Sequence, residues 1–326
     1  MNNTSFQGPF AESIAEHVAL KQAIGYKYIT ESKSLSRFAE FTEKKYPNAK
    51  GLTREIVLDW CAKKPYESPA TQCLRASILR QYAVFMDMVG LDAYILPKGY
   101  YPTEEQYVPY IFTQDELRRF FHATDRCFFV SECPYRHFIM PVYYRMIYSC
   151  GLRPQEARLL KKEDVDLENG ILSINHSKKD NSRLVPMSSE LTKRCRKYYA
   201  DISLSESEWF FPGLEQKPMT PGNAYHNFRR FLWKARISHG GKGKGPRIYD
   251  FRHTFACNCL KSWVSEGKDI NAYLPILKTY MGHDSFNDTA YYLRLTADVF
   301  PDITIMLEGQ YPDIVPMVGG GADATN

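Results

Sequence analysis

No stretch of this chain approaches the ~20 apolar residues that a membrane-spanning helix needs. The first residues, Met1-Asn2-Asn3-Thr4-Ser5, hold neither the basic cluster nor the apolar run of an export signal. Both absences point to a soluble protein of the cytoplasm, associated with the nucleoid if its partner is DNA. Eight cysteines stand at positions 61, 73, 127, 133, 150, 195, 257 and 259, and none forms a Cys-x-x-Cys pair. Cys257-Asn258-Cys259 lies in an apolar helical stretch too cramped for a metal pair, so the thiols read as reduced and buried. The chain also lacks a phosphate-cradling Gly-x-x-x-x-Gly-Lys-Ser/Thr loop and a paired acidic cluster. Neither ATP nor a metal is therefore expected as cofactor. Convincing strands are scarce, which leaves a mainly helical chain.

With 326 residues, 44% apolar and 24% charged, the chain has room for two domains with cores of their own. The net charge of +5 is only mildly basic, and its placement says more. Between His226 and Arg252 fall Arg229, Arg230, Lys234, Arg236, Lys242, Lys244 and Arg247, opposed only by Asp250. Phe228, Phe231 and Trp233 are interleaved with them, and a flexible loop, Gly240 to Gly245, follows. Cations mixed with aromatics suit a surface that grips phosphates.

Residues 1–10 read as a flexible start. Over 11–94, apolar residues at helical spacing predict four helices: Ile14, Val18, Ala19 and Ile24; Leu35, Phe38, Ala39 and Phe41; Ile56, Val57, Leu58 and Trp60; then Leu74, Ile78, Leu79, Tyr82, Val84, Phe85 and Met88. Lys33, Arg37, Arg75 and Arg80 lie on the polar faces as candidate DNA contacts. The breaker-rich stretch 95–111 reads as a linker. Thr113-Gln114-Asp115-Glu116 is a capping box that opens a second domain, 112–310. In it Ile171–Ile174 and Arg183–Met187 are the good strand candidates, paired as a hairpin across Lys178-Lys179-Asp180-Asn181. Helices are expected near Ser189–Ala200, Pro221–Ile237, Asp250–Glu266, Tyr273–Tyr280 and Asn287–Val299, and a tail over 311–326.

Three segments carry chemistry: Gly151-Leu152-Arg153-Pro154-Gln155-Glu156, Tyr249-Asp250-Phe251-Arg252-His253-Thr254-Phe255-Ala256, and Met281-Gly282-His283, with Tyr291-Tyr292 following. Together they supply two arginines, a histidine and a tyrosine, the set needed to break a phosphodiester by attack of a phenol. In this order and spacing the segments resemble the tyrosine recombinase (phage integrase) family, over about 110–300; the helical first domain resembles that family's core-binding domain without a motif of comparable specificity.

The resemblance implies a mixed α/β catalytic domain and a helical domain that together clamp duplex DNA. It also implies a 3′-phosphotyrosyl intermediate, and a tetramer on paired sites, with accessory DNA-bending proteins as possible helpers. Arg153 and Arg252 would bind the scissile phosphate, since a planar guanidinium gives it paired hydrogen bonds. Glu156 would orient Arg153, and His283 would bond a non-bridging oxygen. Tyr292, nine residues after His283, would be the nucleophile and its neighbour Tyr291 would pack. Lys178 matches the family's general acid, with Lys179 as competitor. The segment Phe300–Leu307 would dock on a neighbouring copy, and the absence of an arm-binding domain before Ala11 would favour a simple integrase, transposon recombinase or Xer-like resolvase.

One position departs from the family. Three residues before Arg252, where histidine is usual, stands Tyr249. A phenol with an ordinary pKa of ~10 is a poor base at neutral pH. His253 is expected to turn away and pack. A type IB topoisomerase is the alternative enzyme, although that family places lysine where Tyr249 stands; a DNA-binding relic without activity is the alternative outside enzymes.

Overall fold

The computed structural model describes residues 6–101, 108–175, 182–203, 205–241 and 245–299, and the chain divides into two compact units between Tyr107 and Val108. The first unit holds four helices, α1 (Ala11–Ala23), α2 (Ile29–Lys45), α3 (Arg54–Cys61) and α4 (Pro69–Met88). Thr53 caps α3 by accepting from the Ile56 N–H. Ser68 caps α4 by accepting from the Thr71 N–H, with Pro69 in the first turn. Ile14, Leu35, Phe38, Ile56, Trp60, Leu79 and Tyr82 form the core between them.

The buried faces are narrower than the apolar pattern suggested. Ile24, Leu74, Val84 and Met88 are exposed: Ile24 stands just past the end of α1, and the other three point more than about 100° away from the centre of the packed stripe of α4. In their place the core takes in His17, whose Nε2 lies 2.9 Å from the Tyr28 hydroxyl. Burial, and then the nearby Lys21, push the His17 pKa down to about 4, so the ring is neutral at pH 7.

Arg75 departs from its expected place on a DNA-binding face. It is buried, its guanidinium is paired with Glu67 and donates to the Ala62 carbonyl, and it stacks over Trp60. Its work is to tie the approach to α4 onto α3. Arg80 is half-buried, while Lys33 and Arg37 stand in solvent. The linker expected over 95–111 is shorter too, since Leu96 belongs to the first core.

The second unit contains α5 (Gln114–Asp125), α6 (Arg136–Ser149), the short α7 (Pro154–Arg158), β1 (Val165–Asp166), β2 (Ile171–Ile174), β3 (Arg183–Pro186), α8 (Ser189–Asp201), α9 (Pro221–Lys234), α10 (Asp250–Ser265), α11 (Ile270–Met281) and α12 (Phe286–Val299). The Thr113–Glu116 capping box is formed in full. α6 is the central element: Tyr143, Tyr144, Met146 and Ile147 are almost wholly enclosed, and Tyr144 donates to the Ala224 carbonyl of α9 at 2.7 Å. Phe120, Phe228, Phe231 and Phe251 pack around it, edge to face except for the tilted pair of Phe120 and Phe228. Phe228 and Phe231, expected on the basic surface, are therefore core residues.

The sheet has three antiparallel strands in the order β1-β2-β3, where the sequence suggested a hairpin. The extra strand, two residues long, pairs Val165 with Leu172 and is too short for alternation to reveal. α11 begins three residues earlier than expected and carries Pro275 inside it. Proline argues against a helix interior, but here Asp269 caps the first turn and packing holds the rest.

Candidate active site

α7, α10 and the α11–α12 corner bring the motif residues together. Arg252, in the first turn of α10, is completely buried. Its Nη1 donates to the Gly151 carbonyl at 2.6 Å and its Nη2 to the Met281 carbonyl at 2.7 Å. Gly151 has a left-handed φ of +58°, and a Cβ there would lie 2.5 Å from Phe255, so only glycine presents this carbonyl. Burial pulls the Arg252 pKa below its ordinary value, and the Tyr249 and Tyr292 phenols beside it pull the other way.

Arg153 caps α7. Its Nη1 donates to Glu156 Oε1 and its Nη2 to the Gly282 carbonyl, both at 2.7 Å, while its backbone N–H donates to Glu156 Oε2. Glu156 is therefore more than a favourable first-turn acid: it is buried and takes hydrogen bonds on both oxygens. Burial alone would raise its pKa, but the hydrogen bonds and charge of Arg183, then those of Arg153, hold it below the usual carboxylate range.

Gly282 ends α11 in the left-handed region at φ +65°, with its N–H donating to the Thr279 carbonyl and the His283 N–H to the Lys278 carbonyl. This glycine-terminated corner aims His283 inward. His283 Nδ1 sits 2.9 Å from the Thr289 hydroxyl, and its ring stacks on Tyr292 at 5.7 Å between centroids. Burial, then the Arg252 and Arg153 charges, push the His283 pKa down to about 4. A neutral imidazole therefore faces the phenol at pH 7.

Tyr292 points into this cluster and is 3% exposed. Burial raises its phenol pKa, and the neighbouring Arg252 charge partly opposes that rise. Tyr291 packs against the cluster that Ala256, Leu260, Leu277 and Leu295 form, with its ring 5.9 Å from that of Tyr292. Tyr249 is more than one-third exposed, beside the Arg153 guanidinium. His253 does not turn away as expected. One helical turn after Tyr249, its ring stands 4.9 Å from that of Tyr249 and 5.5 Å from that of Tyr292. Burial, followed by the Arg252 and Arg247 charges, pushes its pKa down to about 4.

Sequence reading passed over Arg183 and Thr289. In the sequence Arg183 is an ordinary strand residue, yet in the fold it reaches back 27 positions to hold both Glu156 oxygens, at 3.0 and 2.8 Å. Its position directly after the Lys178 loop was the available signal. Lys178 and Lys179, with Lys242, Lys244 and the Phe300–Leu307 segment, lie outside the described residues. Arg229, Arg230 and Arg247 are exposed, and the outer face of α9 also displays Tyr225 and Trp233. Arg229 Nη1 lies 3.3 Å from the Tyr225 hydroxyl.

Among the described residues no helix is long and apolar enough to cross a membrane. Comparison with known proteins agrees with the geometry. The y4rB protein of Sinorhizobium fredii, named as an integrase/recombinase, is 26% identical over 93% of this chain and 98% of its own length. The tyrosine recombinase XerA of Thermococcus kodakarensis is 28% identical over 47% of this chain and 50% of its own. Among solved structures, the Tn1549 transposon integrase with transposon right-end DNA aligns at a TM-score of 0.64 and 14% identity, covering 86% of this chain and 93% of that one. The XerH site-specific recombinase bound to difH in a pre-cleavage complex aligns at 0.61 and 17%, covering 92% and 90%. The model of the phage integrase family matches residues 111–298, the span that contains every motif of the site. On these grounds the chain belongs to the phage integrase family, the tyrosine recombinases.

Proposed function

We propose that this protein is a site-specific DNA recombinase that cuts and rejoins strands through Tyr292. The observation that carries the reading is the Tyr292 ring, stacked on neutral His283 and beside the Arg252 guanidinium. In the step envisaged, the Tyr292 oxygen bonds to the scissile phosphorus as the bond from phosphorus to the 5′ oxygen breaks. The phenol proton passes to solvent water as attack proceeds, and Lys178 gives a proton to the departing 5′ oxygen. Arg153 and Arg252 face the non-bridging oxygens, where charge grows as phosphorus becomes five-coordinate. The phosphotyrosyl bond retains the energy of the broken ester, so a 5′ hydroxyl reverses the step without ATP. Each chain has one Tyr292, and exchanging two duplexes cuts four strands; four copies on paired sites meet that need.

The test uses nicked duplexes with a randomised core, from which covalent protein–DNA adducts are recovered, sequenced and peptide-mapped. The reading expects one enriched core sequence joined through its 3′ phosphate to Tyr292. Adducts with no sequence preference would favour a nicking and resealing enzyme, and binding without adducts a DNA-binding relic.

Tyr249 is read as a positioning group beside Arg153, not as a base. Tyr249→Phe should slow cleavage by about 10- to 100-fold, the worth of one charge-assisted hydrogen bond. Tyr249→His, which restores the commoner family residue, should keep or raise the rate. A dead histidine variant next to a fully active phenylalanine variant would show that Tyr249 only packs.

A further inference from the structure

Arg183 and Glu156 form an ion pair with both side chains below one-tenth exposed, directly behind Arg153. Three connections leave it. Glu156 Oε1 also accepts from Arg153 Nη1, Glu156 Oε2 also accepts from the Arg153 N–H, and Arg183 Nε donates to the Tyr280 carbonyl at 2.9 Å. Arg183 Nη1 moreover lies 2.9 Å from where a Cβ on Gly282 would stand, so it fills the corner that aims His283.

The charges sharpen the point. A lone buried carboxylate against Arg153 would cancel that guanidinium one for one. With Arg183 present, two cations share one anion, and the trio keeps a net charge of about +1 facing the site. Adding Arg252 brings the cluster to about +2, which suits a phosphate whose charge grows during attack. A buried pair is weak evidence for stability, because desolvation offsets most of the attraction. Its placement calls for another account.

We propose that Arg183 is a positioning residue for strand cleavage: it offsets the Glu156 charge and fixes the Arg153 and Gly282–His283 geometry, so that Arg153 remains a net cation toward the scissile phosphate. The inference rests on the recombinase reading above. It also ties β3, which follows Lys178 in the sequence, to the two motifs that would hold the phosphate.

The experiment measures single-turnover adduct formation on the duplex recovered from the randomised library, with DNA affinity and thermal melting measured in parallel. Arg183→Gln should slow cleavage by about 100-fold while shifting DNA affinity by less than about 3-fold, since many other phosphate contacts hold the duplex. Arg183→Lys keeps the charge but loses the fork, and should fall between wild type and the glutamine variant. The decisive comparison is Glu156→Gln combined with Arg183→Gln. Removing both charges restores the cationic balance around Arg153, so the double variant should cleave about 10-fold faster than Arg183→Gln alone. A purely structural role would make cleavage follow melting across the variants, so a double variant that cleaves no faster than Arg183→Gln, or faster only in step with a recovered melting temperature, overturns the proposal. Wild-type cleavage by Arg183→Gln overturns it as well, leaving the recombinase reading standing. If Arg183→Gln melts out, Arg183→Lys and the double variant, each of which keeps a net charge of about +1 around Arg153, are compared with wild type: cleavage by both clearly above about one-hundredth of the wild-type rate supports the proposal, and a loss of about 100-fold or more in either overturns it. Absence of any adduct with the wild-type protein would instead overturn the recombinase reading, and this inference with it.

Discussion

Tyr292→Phe should leave a protein that folds, binds the recovered duplex and never becomes covalently joined to it. The substitution removes one oxygen and keeps the ring that stacks on His283 and packs near His253. Melting should therefore move by only a few degrees, the range of about 1 kcal/mol in a unit of this size. Cleavage should fall below detection, because no neighbouring group replaces the nucleophile. Tyr291 is the nearest alternative, but it points about 100° away from Tyr292 around α12 and packs against Leu260, Leu277 and Leu295. Residual adduct mapped to Tyr291 in this variant would mean that α12 can turn, and the assignment of Tyr292 would fail.

Arg252→Ala is expected to fail twice over. It removes a donor from the developing phosphate charge, which should slow cleavage by about 10²- to 10³-fold or more. It also leaves the Gly151 and Met281 carbonyls without their donor inside the protein. An unsatisfied buried polar group costs about 1–3 kcal/mol, so the two together should lower the melting temperature by roughly 5–15 °C. Arg252→Lys, which can reach one carbonyl but not span both, should recover part of the melting loss and little of the activity. Melting curves together with single-turnover cleavage separate the two losses. An alanine variant that melts with wild type would mean that these carbonyls are satisfied without Arg252.

The helices were legible where local chemistry decided them. Thr113 with Glu116 marked a helix start that the structure keeps. So was the convergence of Arg153, Arg252, His283 and Tyr292, since their segments kept a recognisable order and spacing. What stayed hidden depended on contacts distant in sequence. Arg183 looks like any polar residue at the head of a strand until the fold brings it to Glu156 and the Tyr280 carbonyl. Arg75 looked like a surface cation because nothing local announces its pairing with Glu67 over Trp60. His253 was misjudged for a different reason: adjacent residues on a helix point apart, yet Tyr292 arrives from α12 and closes on the face that His253 shares with Tyr249. Lone-residue direction on one helix cannot anticipate a second helix.

The two carbonyls held by Arg252 have a consequence for how such a chain would age. A gene released from selection for DNA cleavage still has to encode a protein that folds if it retains any other use. Drift would remove Tyr292 or Tyr249 cheaply, since neither staples distant parts of the backbone together. Arg252 would persist long afterwards, retained as masonry between the Gly151 turn and the end of α11. Among descendants of this chain, an intact arginine at that place would testify to inherited architecture, and the tyrosine alone to a living enzyme.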